Sequence, residues 1–554
     1  MNRPDANRPD ANRPDAKCKE NVRLDQREPA LLMHLESRQF ARLLLCAFGL
    51  FAVHAVSAAP DVRQLYQQHC AQCHGAERLG AMGPALLPEN LGRLKKGEAA
   101  EVIAEGRPAT QMPAFGDKLA PDEILALADY TFSEPAVTPQ WTLDDIEASQ
   151  VVPHPEGSLP DKPVFETEDL MNLFIVVELG DHHATLLDGD SFEPIHRFQT
   201  RFALHGGPKY SPDGRYVYFA SRDGWVSKFD IYNLKTVAEI RAGINTRNLA
   251  VSHDGRYVLV GNYLPNTLVL LDARNLDLIR VIPVQDDHGR TSRVSAVYTA
   301  PPRSSFIVAL KDFPEVWEIS YSDNPEPVFR GMVHDYRYKE GLAEKGPFPV
   351  QRIALADQLD DFFFDSSYTH LMGAARDGKQ GQVINLNVRR KVADLDLDGM
   401  PHLGSGITFD YQGHRVLATP HLKKNAVSVI DLTNWKTIKR IETLGPGFFM
   451  RSHENSPYAW VDVFFGPHKD AVHVVDKRSL EIVKTLRPAP GKTAAHVEFT
   501  RDGKYALLSI WDMEGAVVVY DARSLEELKR IPMKKPSGKY NVWNKTRYSE
   551  GTSH

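Results

Sequence analysis

The chain has 554 residues, 66 Lys+Arg against 72 Asp+Glu for a net charge of −6, and 42% hydrophobic and 25% charged residues. This is ordinary globular composition with room for two or three domains, and the lack of a basic excess argues against a nucleic-acid binder. The 37 Gly and 37 Pro follow no period, and no stretch of 18 apolar residues marks a membrane helix. Four cysteines, Cys18, Cys46, Cys70 and Cys73, are too few for a disulfide scaffold.

Residues 2–16 read NRPDA three times, a polar repeat with nothing to bury, so residues 1–32 are expected to be a disordered or untranslated leader. Met33 opens a more ordinary one. Arg38 and Arg42 precede the apolar run Leu43–Val53, and Val56-Ser57-Ala58 offers a small-residue cleavage site. Residues 33–58 therefore read as a signal peptide, and the expected location is the periplasm. Cleavage would leave a net charge of −8, which suits a basic partner cytochrome, and would leave only Cys70 and Cys73.

Those two lie in Cys70-Ala71-Gln72-Cys73-His74, the C-x-x-C-H pattern of covalent haem c attachment. Two thiols three apart on a helical turn reach both vinyl groups, and the adjacent His74 points at the iron. A zinc site would need two further ligands at matching spacing, and no other cysteine survives export. One haem c is therefore expected. Met112 follows His74 by 38 residues and is the expected sixth ligand, with Pro113 stiffening its loop. Met82 sits too near the attachment helix and is assigned to the pocket lining. A helix over Pro121–Phe132 closes an all-α class I cytochrome c domain at residues 59–135, and an acidic, Pro-containing linker follows at 136–162.

Beyond the linker the chain is strand-rich, with turns at Asp213-Gly214, Asp254-Gly255 and Asp502-Gly503. An apolar run ending in a polar residue before a turn recurs at Leu187-Asp188, Phe229-Asp230, Leu271-Asp272, Ile319-Ser320, Ile384-Asn385, Ile430-Asp431, Val475-Asp476 and Tyr520-Asp521. The steps are 42, 42, 48, 65, 46, 45 and 45 residues. Eight such units of several short strands predict an all-β eight-bladed propeller over 163–554. Its functional residues are expected where the repeat is broken and faces the central channel, which can enclose a large flat ligand.

Particular residues then become recognisable. Phe202-Ala203-Leu204-His205 ahead of Ser211-Pro212-Asp213-Gly214, Met400-Pro401-His402-Leu403-Gly404-Ser405-Gly406, and Gly538-Lys539-Tyr540-Asn541-Val542-Trp543-Asn544 fall at corresponding blades. With them, the chain from about Val62 resembles cytochrome cd1 nitrite reductase and its relatives in haem d1 assembly. The resemblance implies a haem d1-type tetrapyrrole in the channel. The reductases carry a second channel histidine where this sequence has Leu359-Asp360-Asp361-Phe362-Phe363. Reducing nitrite to nitric oxide consumes two protons, which paired imidazoles suit, so a carboxylate in that place argues against nitrite reduction. With His496 in His496-Val497-Glu498-Phe499, the chain is more similar to the dihydro-haem d1 dehydrogenases of haem d1 biosynthesis, which serve denitrification.

That resemblance implies an oxidoreductase acting on CH–CH groups, one that oxidises a propionate arm of dihydro-haem d1 to an acrylate with electrons leaving through haem c. The alternatives are a nitrite reductase in which Asp360 or Asp361 replaces the missing histidine, and a haem d1 carrier. The implied partners are the tetrapyrrole, apo nitrite reductase and a small periplasmic electron-transfer cytochrome. His402, in a Gly-rich loop, is the candidate catalytic base, and His205 and His496 are candidate ligands of the tetrapyrrole iron. Tyr263, Arg293 and Lys311 are candidate pocket residues, with Arg247, Arg303 and Arg451 as further cations for its carboxylates. His253, His288, His334, His370, His414 and His468 read as solvated, with His421 and His453 as the exceptions.

Overall fold

The computed structural model describes residues 61–547 apart from 82, 92–93, 107–111, 138, 203, 331–341 and 375–379. The repeat leader and signal segment lie outside the described residues, as do Met82 and His334. Among the described residues no helix is long and apolar enough to cross a membrane.

The first part is helical: α1 (Val62–His69), α2 (Ala71–His74), α3 (Pro88–Leu91), α4 (Lys96–Glu105) and α5 (Pro121–Thr131). The Asp61 carboxylate caps α1 by accepting the Arg63 and Gln64 amides. Pro121 opens α5 with Asp122 and Glu123 against the positive end of its dipole. Tyr66, Ile103, Leu119, Ile124 and Leu127 form the core. Buried Arg78 donates to the carbonyls of Tyr130 and Ser133 at 2.5 and 3.0 Å, which ties the attachment loop to the end of α5.

The remainder closes into eight four-stranded antiparallel sheets, one per blade. Blade 1 takes its innermost strand, Pro536–Asn541, from the far end of the chain, next to Phe174–Glu178, His183–Leu187 and Pro194–Gln199. Blades 2 to 8 start from inner strands Lys209–Tyr210, Asn245–Val251, Val294–Ala300, Phe362–Phe364, Ile407–Tyr411, Met450–Ser452 and Ala494–Phe499. The sequence repeat has a local cause. In each blade the recurring polar residue ends the third strand or, as Asp188 in blade 1, directly follows it, and its side chain accepts backbone amides two or three residues on, as Asp230, Asp476 and Asp521 do. The hairpin then turns through a left-handed residue: Leu234, Leu276, Trp435, Leu480 and Leu525 have φ of 55 to 64°. The 65-residue step is blade 4, where a hairpin of Val328–Arg330 with Leu342–Glu344 precedes the outer strand Val350–Ala354.

Residues 136–162, expected as a linker, are strapped to the propeller. They form α6 (Leu143–Ala148), Val151 pairs with Glu239 at the edge of blade 2, and Glu156 and Asp161 receive Lys228 and Arg215. The acidic composition that reads as a solvated segment supplies these ion pairs. Ala85 and Leu87 of the helical part pack on Ile244 and Leu264 of the propeller beside Trp141, whose indole N–H donates to the Arg241 carbonyl at 2.9 Å.

Candidate functional site

Cys70, Cys73 and His74 share one helical turn, since the amides of Cys73 and His74 both donate to the Cys70 carbonyl, at 3.1 and 2.9 Å. Burial pushes the Cys70 thiol up to about 11, with Cys73 acting in the same direction. His74 is buried, and its Nδ1–H donates to the Pro84 carbonyl at 2.8 Å. A carbonyl only accepts, so this bond fixes the tautomer with a bare Nε2, the form that ligates iron. Burial lowers the pKa of His74, which keeps the ring neutral. A Cβ on Gly83 would meet that ring at 2.7 Å, so the glycine leaves it room. Two thiols and an oriented neutral imidazole on one turn fit a covalent haem c. Met112 packs partly buried against the same core, while the segment 107–111 before it lies outside the described residues.

In the propeller two of the candidate side chains, Arg247 and His496, stand where the inner strands lose register. The pairing in blade 3 skips Arg247, in blade 4 Ser295 and in blade 8 His496. A bulge turns one residue out of the ladder and re-aims it. His496 adopts φ of 57°, a left-handed conformation that costs a non-glycine residue about 1 kcal/mol. Arg247 Nε donates to the Ser295 carbonyl at 3.0 Å, so two of the bulges brace each other.

His205 and His402 sit just before the inner strands of blades 2 and 6, each with its amide on the second strand of its own blade. His402 Nδ1–H donates to the Phe448 carbonyl at 2.6 Å and His205 Nδ1–H to the Arg247 carbonyl at 2.7 Å, so both present a bare Nε2. The His205 Nε2 is covered by the Arg247 guanidinium at 2.5 Å. The His402 Nε2 faces Asp361 Oδ2 at 3.8 Å. Asp361 is held by the Tyr298 hydroxyl at 2.8 Å and by the Phe362 and Gly404 amides at 2.9 Å. Burial lowers the His402 pKa, opposed by Asp361 and the Phe448 carbonyl and aided by Arg247. The carboxylate expected opposite the channel histidine is thus Asp361, whereas Asp360 is taken by Lys311 at 2.7 Å.

The wall joining His402 to His496 is aromatic. Phe448 lies 4.2 Å from the His402 ring, Phe449 4.8 Å and Tyr540 5.1 Å from the His496 ring, and Phe464 continues to Trp511. Trp511 Nε1 and Lys545 Nζ are buried with no hydrogen-bond partner among the described residues, and Lys545 lies 5.4 Å from the Tyr540 ring. Burial lowers Lys209 to about 8 and Lys539 to about 7, and raises Asp462 to about 7. Flat aromatic walls, imidazoles with unprotonated Nε2 and buried amines that an anion would recharge fit a planar, iron-bearing, multiply anionic ligand. These aromatics and lysines were missed in the sequence; their signal is the doubled Phe448-Phe449 and Phe464-Phe465 beside Gly447 and Gly466, where the repeat is interrupted.

The other expected residues separate into groups. Tyr263 is ringed by Arg222, Arg293 and Lys311 at 6.0, 5.6 and 5.4 Å, but Arg293 holds Asp312 at 2.6 Å and Lys311 holds Asp360, so neither cation is held in reserve for a ligand alone. Arg303 holds Glu318 and Asn387 at the turn after the inner strand of blade 4, the end opposite the histidines. Arg451 is paired with fully buried Glu498 at 3.0 Å beside a cavity of about 250 Å³ that Trp543, His453 and Lys477 also line. His421 and His453 are buried, while His370 and His414 head strands and face Asp365 and Asp431 at 3.0 and 3.3 Å, not open solvent alone.

Residues 168–545 match the cytochrome D1 heme domain family, and residues 57–130 match the family described as cytochrome C oxidase, cbb3-type, subunit III. The dihydro-heme d1 dehydrogenase of Pseudomonas aeruginosa is 58% identical over 515 residues, covering 93% of this chain and 100% of that protein. A nitrite reductase of Stutzerimonas stutzeri is 26% identical, covering 88% of this chain and 95% of the other. The solved structure of dihydro-heme d1 dehydrogenase NirN in complex with DHE superposes with a TM-score of 0.78 at 59% identity, covering 87% of this chain and 99% of that one. The expected architecture, a cytochrome c domain followed by an eight-bladed propeller, is borne out. The chain belongs to the cytochrome D1 heme domain family, in the branch that holds dihydro-heme d1 dehydrogenase.

Proposed function

We propose that this protein is a dihydro-haem d1 dehydrogenase. It converts a –CH₂–CH₂–COO⁻ arm of the tetrapyrrole to –CH=CH–COO⁻, releasing two protons and two electrons. The observation that carries the reading is His402: its Nδ1–H is spent on the Phe448 carbonyl, leaving a bare Nε2 in an aromatic channel. That nitrogen can accept a proton from the arm's C–H, and Asp361 stabilises the imidazolium that results. His496, on its bulge, is assigned as the ligand of the substrate's iron, which requires the Lys539 amide, 3.4 Å from Nδ1 here, to give way to an Nδ1–H. His205, whose Nε2 is covered, is assigned to holding Arg247. Lys209, Lys539, Lys545 and Arg247 draw in the carboxylates. Cys70, Cys73 and His74 would hold haem c, with Met112 as the further candidate ligand, and when bound it would supply one-electron acceptor chemistry. Two electrons must then go on to an external acceptor, for which a small periplasmic cytochrome is the candidate, and the product to apo nitrite reductase.

The test is anaerobic. Purified oxidised protein is mixed with dihydro-haem d1, and the tetrapyrrole spectrum and haem c reduction are recorded together. Conversion with haem c turning ferrous is expected. Tight binding without conversion would overturn the dehydrogenase in favour of a carrier, and nitric oxide released from added nitrite would mark a reductase.

A further inference from the structure

Both channel imidazoles assigned above are held through backbone groups, and both holds end on one carboxylate. Asp462 closes the second strand of blade 7 and is fully buried. Its Oδ1 accepts the Phe448 and Phe449 amides at 2.8 and 3.0 Å, and its Oδ2 accepts the His496 amide at 3.2 Å. Phe448 is the residue whose carbonyl takes His402 Nδ1–H, and His496 is the bulged residue with φ of 57°. One side chain therefore fixes both the peptide that orients His402 and the bulge that presents His496.

Blade packing does not ask for an acid here. In six of the other seven blades the same strand ends on Ala220, Leu264, Leu310, Ala374, Pro420 or Ile510, and in blade 1 it ends on Glu178, which is paired with Arg197 and not with inner-strand amides. A carboxylate taken out of water is costly unless hydrogen-bonded. The three amides and nearby Lys539 offset part of that cost, and burial still holds the Asp462 carboxyl up at about 7. Lys539 in turn donates to the His496 carbonyl and, at 2.8 Å, to Ser509 Oγ, so the bulge is gripped from both of its peptide groups.

We propose that Asp462 is a positioning residue for the dehydrogenation: it sets the tautomer and aim of His402 through Phe448, and the stance of His496 through its bulged amide. The assignment rests on the functional reading given above. It makes Asp462 the point at which the base and the iron ligand, on different blades, are held in register with each other.

The variant to make is Asp462→Asn, nearly isosteric, whose NH₂ cannot accept an amide. Three readouts are taken against the wild type. In ligand-free protein labelled with ¹⁵N-histidine, the wild type should show His402 as a single Nδ1–H tautomer and the variant a mixture. With dihydro-haem d1 bound, the variant's axial-ligation spectrum should become heterogeneous. In turnover, kcat should fall at least tenfold while KM moves less than threefold, with Asp462→Glu recovering part of the loss. Unchanged tautomer, spectrum and kcat in Asp462→Asn would overturn the proposal. So would loss of the folded propeller in both variants, because Asp462 would then hold the blade and not the two rings. A wild type that fails to oxidise dihydro-haem d1 overturns the functional reading alone, and the tautomer measurement on ligand-free protein still decides the role of Asp462.

Discussion

Replacing His402 with alanine separates chemistry from scaffold, because the two costs differ in size. A positioned general base contributes about 10²- to 10⁴-fold, which is about 3–5 kcal/mol in the barrier. The structural cost is smaller. The Phe448 carbonyl loses a 2.6 Å donor and its ring loses an imidazole at 4.2 Å. Phe448 is only half-buried, so water can replace part of that bond. The unmade bond and lost contact together are expected to cost about 1–2 kcal/mol, a fall of a few degrees in Tm for a domain of this size. His402→Ala should therefore fold, keep its haem c spectrum and bind dihydro-haem d1, yet turn over at least a hundredfold more slowly. The assay is anaerobic single turnover, with the tetrapyrrole band and haem c reduction followed together. A kcat within fivefold of the wild type, with substrate bound, would refute the assignment of His402 as base.

Arg451→Ala should destabilise the propeller by about 3–5 kcal/mol in chemical denaturation, since it leaves the buried Glu498 carboxylate unpaired; the double variant Arg451→Met, Glu498→Leu should recover much of that, and a single-variant loss below 1 kcal/mol would contradict the reasoning. The pH profile follows from the environment of His402: burial holds its pKa below the ordinary value of 6.5, so the base form persists to lower pH and the acid limb of kcat/KM falls below that of a free imidazole. Asp361→Asn removes a charge that favours the protonated ring, so the limb should move lower again, and an upward move would show that Asp361 does not act on His402. Gly83→Ala places a Cβ 2.7 Å from the His74 ring and should displace it from the Pro84 carbonyl, read as a shifted haem c spectrum and midpoint potential with the propeller's unfolding unchanged.

The parts of this molecule legible in its sequence are those with a local cause. The C-x-x-C-H turn is set by the geometry of four consecutive peptides, and the eight blades announce themselves because each third strand must end in a side chain that accepts its own turn's amides. Blade 5 departs from aspartate at this place, and Asn385 does with an amide oxygen what aspartate does elsewhere, at 2.9 Å to the Asn387 amide. The channel was legible only in outline. Which inner-strand residue leaves the ladder depends on the partner strand's register, so the bulges at Arg247, Ser295 and His496 have no signature in their own segments. Charge was read too generously: Arg293 and Lys311 are cations in the expected place, but their acids, Asp312 and Asp360, come from neighbouring turns and could be matched to them only in space. His402 and His496 are singled out by resemblance, since neither segment's own pattern marks them.

The way the ring closes has a consequence for when the site comes into being. The innermost strand of blade 1 is Pro536–Asn541, and it brings Lys539 and Tyr540 to the wall beside His496. Seven blades and the haem-bearing helices can be complete while that wall is still open and the first blade lacks a strand. The ring therefore cannot close, nor the wall beside His496 form, until the chain is complete as far as Asn541, whereas the C-x-x-C-H turn is built from residues that come before every blade.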